Sequence, residues 1–210
     1  MVELLFEGLI SQGVDSIDRR LHARRMARFA ERLGVRHDLV IEAPNMARAF
    51  GEIAGGRLTN VFSGSIGGGH VVAWEREVQA PANDSLEYLQ NHPAGHFVAV
   101  PLPRRLPGVV VQRWHPMFTP DECPWLPGGT RMHLSDATAE RLIRVTAVDH
   151  QFARRIIDER ALLTRPRRSW AILGEWAVCL GPGTMRRRGK WGLHRELPFI
   201  RALAARAAAV

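Results

Sequence analysis

Three consecutive glycines, Gly67-Gly68-Gly69, separate two runs of strand-forming side chains, 59–66 and 70–78. Glycine reaches the positive-φ conformations that tight turns demand, so the triplet predicts an antiparallel β-hairpin. The elements around it alternate between isolated helices and short strands. Residues 2–10 read as an apolar strand. Asp15 or Ser16 then caps a helix to about Gly34, on which His22, Met26, Phe29 and Leu33 share one stripe. Arg20, Arg24, Arg25, Arg28 and Arg32 gather on the opposite side of that helix, a surface that solvation alone also explains. A strand over 37–43 (HDLVIEA) follows, then short helices over 44–54 and 84–91, and strands over 96–102 and 108–114.

The stretch 115–129 holds four prolines and two glycines and reads as a loop. Beyond it, Ser135-Asp136 caps the longest expected helix, to about Leu163, with Leu142, Val145, Phe152, Ile156 and Leu163 on its apolar stripe. In the run 170–180, Trp170, Ile172, Trp176, Val178 and Leu180 alternate toward one side, as in a half-buried strand. A glycine- and arginine-rich loop, an extended piece near 193–197 and an alanine-rich helix from Pro198 complete the chain. This order predicts an α+β fold in which helices cover one face of antiparallel sheets. The expected organisation is two tandem ferredoxin-like (RRM-like) modules, 1–115 and 131–210, joined by a linker at 116–130.

Charge divides along the same line. Residues 131–210 carry 15 Arg and 1 Lys against 7 acids, whereas residues 1–130 hold 13 basic and 14 acidic residues. The formal charge of +8 therefore belongs to the C-terminal part. Such a surplus suits a polyanion, and RNA is the first reading; arginine scattered over a solvated surface is the other. No run approaches the ~20 apolar residues that span a bilayer, and no secretion signal is evident, so cytoplasmic residence is expected. Cys123 and Cys179 lie far apart without a Cys-x-x-Cys pattern, and no metal or other cofactor is expected.

The loop Gly181-Pro-Gly-Thr-Met-Arg-Arg-Arg-Gly-Lys-Trp-Gly192 fits no nucleotide fingerprint. Five residues separate Gly183 from Gly189, and Trp191 follows Lys190 where a phosphate-binding loop needs Ser or Thr. What it offers is Gly181, Gly183 and Gly189 for close backbone approach, Arg186, Arg187, Arg188 and Lys190 for phosphates, and Trp191 for base stacking. A solvated basic turn is the alternative. Arg154, Arg155, Arg160, Arg165, Arg167 and Arg168 form a second cluster near a helix end, where cations also suit the macrodipole without any ligand. Among nine histidines no pair has metal spacing. His22, on an otherwise apolar stripe, is either a buried histidine with a partner or a general base.

Three of these features resemble the CRISPR repeat-processing endoribonucleases of the RAMP superfamily: Leu21-His22 on the first helix, the HDLVIEA strand, and the basic glycine-rich loop. The resemblance implies tandem ferredoxin-like folds that hold a repeat hairpin RNA and cut it without metal. In it the 2′-OH attacks the adjacent phosphate, with His22 as general base and the loop arginines holding the RNA. The family's auxiliary tyrosine has no counterpart, Tyr88 being the only tyrosine. The expectation is thus an RNA-binding endoribonuclease of antiviral defence that keeps its product within a ribonucleoprotein. The alternatives are a non-catalytic RNA-binding subunit, a DNA-binding mobile-element accessory protein, or an unrelated small-molecule enzyme.

Overall fold

The computed structural model describes residues 20–41, 57–77, 95–113, 123, 126–159, 162, 169–182, 186–187 and 190–210. The strand expected at 2–10 and the helices expected at 44–54 and 84–91 lie outside them, as does most of 115–129. Helix α1 occupies 20–33 and ends at Gly34, whose φ of +66° is the left-handed stop that glycine adopts without strain. Strand β1 (Arg36–Ile41) pairs antiparallel with β2 (Arg57–Ile66). The glycine triplet turns β2 into β3 (Gly69–Glu77), with Gly67 and Gly68 at φ +53° and +81°.

Strand β4 (Gly95–Arg113) is the spine of the fold. It pairs with β3 along its first part and with β6 (Ile143–Ala147) along its last. Its other edge carries β7 (Ser169–Pro182) over nearly its whole length. The short β5 (Thr130–Met132) adds to β6. All seven strands form one antiparallel sheet, with strands from both sides of 116–130 in it. The α+β class is as expected, and the described strands of both halves lie in one sheet.

Three local expectations change. Residues 136–163 do not form one helix. Asp136 caps a helix as anticipated, accepting from the Thr138 and Ala139 N–H groups, but α2 spans only Ala137–Leu142. Ile143-Arg-Val-Thr-Ala147 then runs as a fully buried strand, because β-branched side chains in a sheet interior outweigh a helical stripe. Asp149 caps a second short helix, α3 (His150–Ile156). Residues 103–108 do not interrupt β4; they are absorbed by register shifts between Pro101 and Val109. The final helix, α4 (Gly192–Ala208), starts six residues before Pro198 and includes it, so the extended piece at 193–197 is helical. The loop itself contains a small hairpin, β8 (Arg186–Arg187) with β9 (Lys190–Trp191).

The bends in β4 and β7 coincide and have one consequence. Gly174 lies opposite Leu106 at the irregularity, with φ +58°. On either side of it β7 switches parity. Trp170 and Ile172 face one core cluster together with Ala177 and Cys179, whereas Val178 belongs to the other, with Trp176 and Leu180 packed against it. A bulge of this kind keeps one face toward the helices on both sides of a bend, so the single-sided alternation read from sequence does not hold. All four described helices contribute to the first cluster, through Met26, Phe29, Ala139, Phe152, Ile156, Leu197 and Ile200 among others. The opposite face is built around Trp74 and Phe97, stacked at 5.1 Å with an interplanar angle of 5°.

Candidate functional site

Polar side chains enter the helix-covered face at one end of the sheet. Glu75 falls on the same strand parity as Val71 and Ala73 and is 5% exposed. A carboxylate in that position is costly unless donors surround it. His22 of α1 supplies one, with Nε2 at 2.9 Å from Oε2 and 3.3 Å from Oε1. Asn60 supplies another, Nδ2 donating to Oε2 at 2.7 Å. The His37 Nε2 donates in turn to Asn60 Oδ1 at 3.3 Å. Asn60 itself has φ +49°, at the bulge between Thr59 and Phe62 in β2. Asparagine tolerates the left-handed region better than other non-glycine residues, so this bulge turns its amide toward Glu75 at small backbone cost.

A carboxylate only accepts, so the His22 Nε2 carries the hydrogen. The histidine of the apolar stripe therefore has a buried partner, and the pair ties α1 to β3. A carboxylate-oriented imidazole also has the form of half a general-base pair. Across the sheet the row Thr59, Glu75, His96, Gly181 runs through β2, β3, β4 and β7. At ~4.8 Å per strand the root of the glycine loop lies about 10 Å from Glu75. One row inward, the Cys179 thiol donates to Glu196 Oε2 at 3.4 Å, and Arg195 Nε donates to Oε1 at 2.7 Å. The fold thus brings His22 and the start of the loop to the same end of the sheet. It surrounds them with Glu75, Asn60, His96 and Glu196, none of which sequence reading singled out. Glu75 shares the parity of Val71 and Ala73, but it opens the charged run Glu75-Arg76-Glu77, so the sequence gives it no distinguishing signal.

The basic residues of the C-terminal part divide in three. Arg154 and Arg155 stand exposed in the last turn of α3. Arg186 pairs through its backbone with Trp191, and Arg187 with Lys190. Gly181 ends β7 opposite His96. Arg160, Arg165, Arg167, Arg168, Gly183, Arg188 and Gly189 lie outside the described residues. Others are spent inside the fold. Arg131 binds Glu140 at 2.6 Å, Arg144 is 4% exposed, and Arg195 meets Glu196. Arg201 donates to the carbonyls of Ile66 and Gly69, clasping the glycine hairpin to α4. Arg206 donates to the Ile156 carbonyl at the end of α3, at 3.3 Å. The cationic surface expected there is in part a set of internal ties.

Two carboxylates pin the turn at 133–136. Burial pushes Glu140 up, but donation from the Leu134 N–H, His133 and Arg131 outweighs it and holds the carboxyl below its ordinary value. Glu159 behaves likewise: burial raises it, and the N–H groups of Ser135 and Asp136 with the Ser135 hydroxyl bring it below the ordinary value. Among the described residues no three His, Cys, Asp or Glu side chains converge as a metal site. No described helix is long and apolar enough to cross a membrane.

Neither a protein-family model nor a curated protein matches this chain. Among solved structures it is similar to the mycobacterial trehalose monomycolate transport factor A, TtfA, with a TM-score of 0.59 and 16% sequence identity. The likeness covers 88% of this chain and 93% of that one. At that identity it establishes a shared α+β fold. It also corrects the CRISPR descriptors, since a protein sharing this architecture nearly end to end is a transport factor and not an RNA-processing nuclease. The RAMP-superfamily, endoribonuclease and antiviral expectations do not stand against that likeness. One of the features that suggested them has another physical reason: His22 sits on its stripe to meet Glu75.

Proposed function

We propose that this chain is a non-enzymatic accessory factor in the transport of a cell-envelope lipid, acting through contacts with other components. The observation that carries this reading is the nearly end-to-end structural likeness to a trehalose monomycolate transport factor. The buried carboxylates support it. Glu75 is held by His22 and Asn60, and Glu196 by Cys179 and Arg195, so each serves packing between a helix and the sheet. We also propose that each half is a ferredoxin-like module contributing strands to the shared sheet, supported by the helices over one face in both halves; separate expression of 1–115 and 131–210 tests it.

The deciding experiment deletes the coding sequence in its host and follows a pulse-labelled envelope lipid from synthesis to the outer layer. The expected result is accumulation of the newly made lipid on the inner side, with full rescue by the wild-type chain. Rescue by His22→Gln is also expected, because glutamine can still donate to Glu75 but cannot act as a base. Unchanged lipid distribution, or loss of rescue by a folded His22→Gln chain, defeats the proposal.

A second proposal is polyanion binding by the C-terminal part, favoured by its 16 basic residues against 7 acids and by the exposed Arg154 and Arg155. Titrating hairpin RNA and duplex DNA at matched ionic strength tests it. Arg186→Ala/Arg187→Ala/Arg188→Ala should flatten the salt slope by about 2 if the loop holds phosphates.

A further inference from the structure

The outward face of α1 is a row of cations that the described fold leaves unneutralised. At 3.6 residues per turn, Arg20, Arg24, Arg28, Arg32 and Arg25 fall within an arc of about 140°, opposite the buried Met26, Phe29 and Ala30 and the half-buried Leu33. All five arginines are exposed. They extend over about 18 Å of helix, with successive i,i+4 neighbours about 5–6 Å apart, inside the ~8 Å screening length of physiological salt. Glu31 is the one acid on this face, and among the described residues neither it nor the arginines form an ion pair. The row's contact is Arg32 Nε donating to the Arg28 carbonyl along the same helix. Arg36 just beyond, by contrast, is paired with Asp38 at 2.9 Å.

Leu21 lies in the same arc and is 41% exposed, one of three large apolar side chains left exposed among the described residues. A straight cationic ridge with an apolar side chain near one end, on a helix whose own apolar face is already consumed by the core, matches a flat array of phosphates bordering hydrocarbon. It lacks the aromatic platforms on which unstacked RNA bases are read. We propose that the arginine face of α1 docks on the surface of a membrane containing anionic phospholipid, with Leu21 entering the interfacial region. The His22–Glu75 and Asn60 contacts beneath hold α1 in register on the sheet, so the ridge is presented as a rigid surface. Charge and exposure carry this inference; it does not need the lipid-transport reading to be true.

The test is co-sedimentation of the purified full chain with vesicles of phosphatidylcholine containing phosphatidylglycerol, with phosphatidylcholine alone and a hairpin RNA as parallel arms. Binding to the anionic vesicles that weakens with added salt is expected. Arg24→Ala/Arg28→Ala/Arg32→Ala should weaken it on the order of 100-fold, about five-fold per arginine near an anionic surface. The matching triple lysine variant should retain most of it. Equal binding to neutral vesicles, binding to RNA with anionic vesicles ignored, or wild-type binding by the alanine variant would each overturn it. Should the alanine variant fold poorly by circular dichroism, the lysine variant and the salt dependence decide alone. A chain that binds vesicles yet leaves lipid distribution untouched separates this inference from the proposed function.

Discussion

The two basic regions of the chain use arginine in opposite ways. On α1 the guanidiniums project from one exposed face and no described carboxylate answers them. In the C-terminal part, Arg131, Arg195, Arg201 and Arg206 bind carboxylates or carbonyls of their own fold, and Arg144 is buried. The segment with the larger formal surplus therefore does not present all of its charge, while the near-neutral segment presents a dense ridge. Net charge along a sequence records how many cations exist. Tertiary contacts decide how many remain available to a partner.

Breaking the polar support beneath α1 should have the largest effect. Glu75→Ala removes the acceptor of both His22 and Asn60 and leaves buried donors unmatched, which should cost about 3 kcal/mol in urea unfolding. A loss under 1 kcal/mol would mean that the network does not hold α1. Next comes Arg201→Ala, which strips the charged clasp from the Ile66 and Gly69 carbonyls and should cost about 2 kcal/mol, because hydrogen bonds from charged groups are the stronger ones. A neutral outcome would place Arg201 with the surface cations.

Glu140 and Glu159 give the third contrast. Their carboxyls are held below the ordinary value of 4.5 in the folded chain. Their contribution is thus fully present above that value and lost as pH falls through the lower folded values. Thermal melts should show Glu140→Gln/Glu159→Gln destabilised by about 1 kcal/mol near neutrality, with a flatter decline into acid than wild type. Parallel acid profiles would remove these carboxylates from the account. The smallest effect belongs to α1: Arg28→Ala should leave stability unchanged or raise it by about 0.3 kcal/mol, since like charges at i,i+4 repel and alanine favours helix. Destabilisation there beyond 1 kcal/mol would reveal a tie the contrast denies.

Much of the fold could be read in advance, for identifiable reasons. Gly67 and Gly68 take the positive φ that their hairpin needs, Gly34 ends α1, and Asp136 caps its helix. Each is a local effect of backbone sterics or one side chain. The misreadings were those in which distant partners overrule local pattern. Leu142, Val145 and Phe152 have helical spacing, yet 143–147 is a strand because β4 and β5 flank it. The candidate site divides in the same manner. His22 was legible as an odd residue on an apolar stripe, but its meaning depended on Glu75, 53 residues away. No window of sequence contains that pair.

By itself, then, the order of residues determined where turns and caps fall, which face of α1 is apolar, and that strands and helices would mix. These follow from steric limits and hydrophobic periodicity acting over a few residues. Only the tertiary structure decided that β4 would be shared by β3, β6 and β7, that a bulge at Gly174 would reverse the parity of β7, and which arginines would stay free. Those outcomes rest on pairing and burial between segments far apart in the chain, where the energy of a contact depends on what another segment places opposite it.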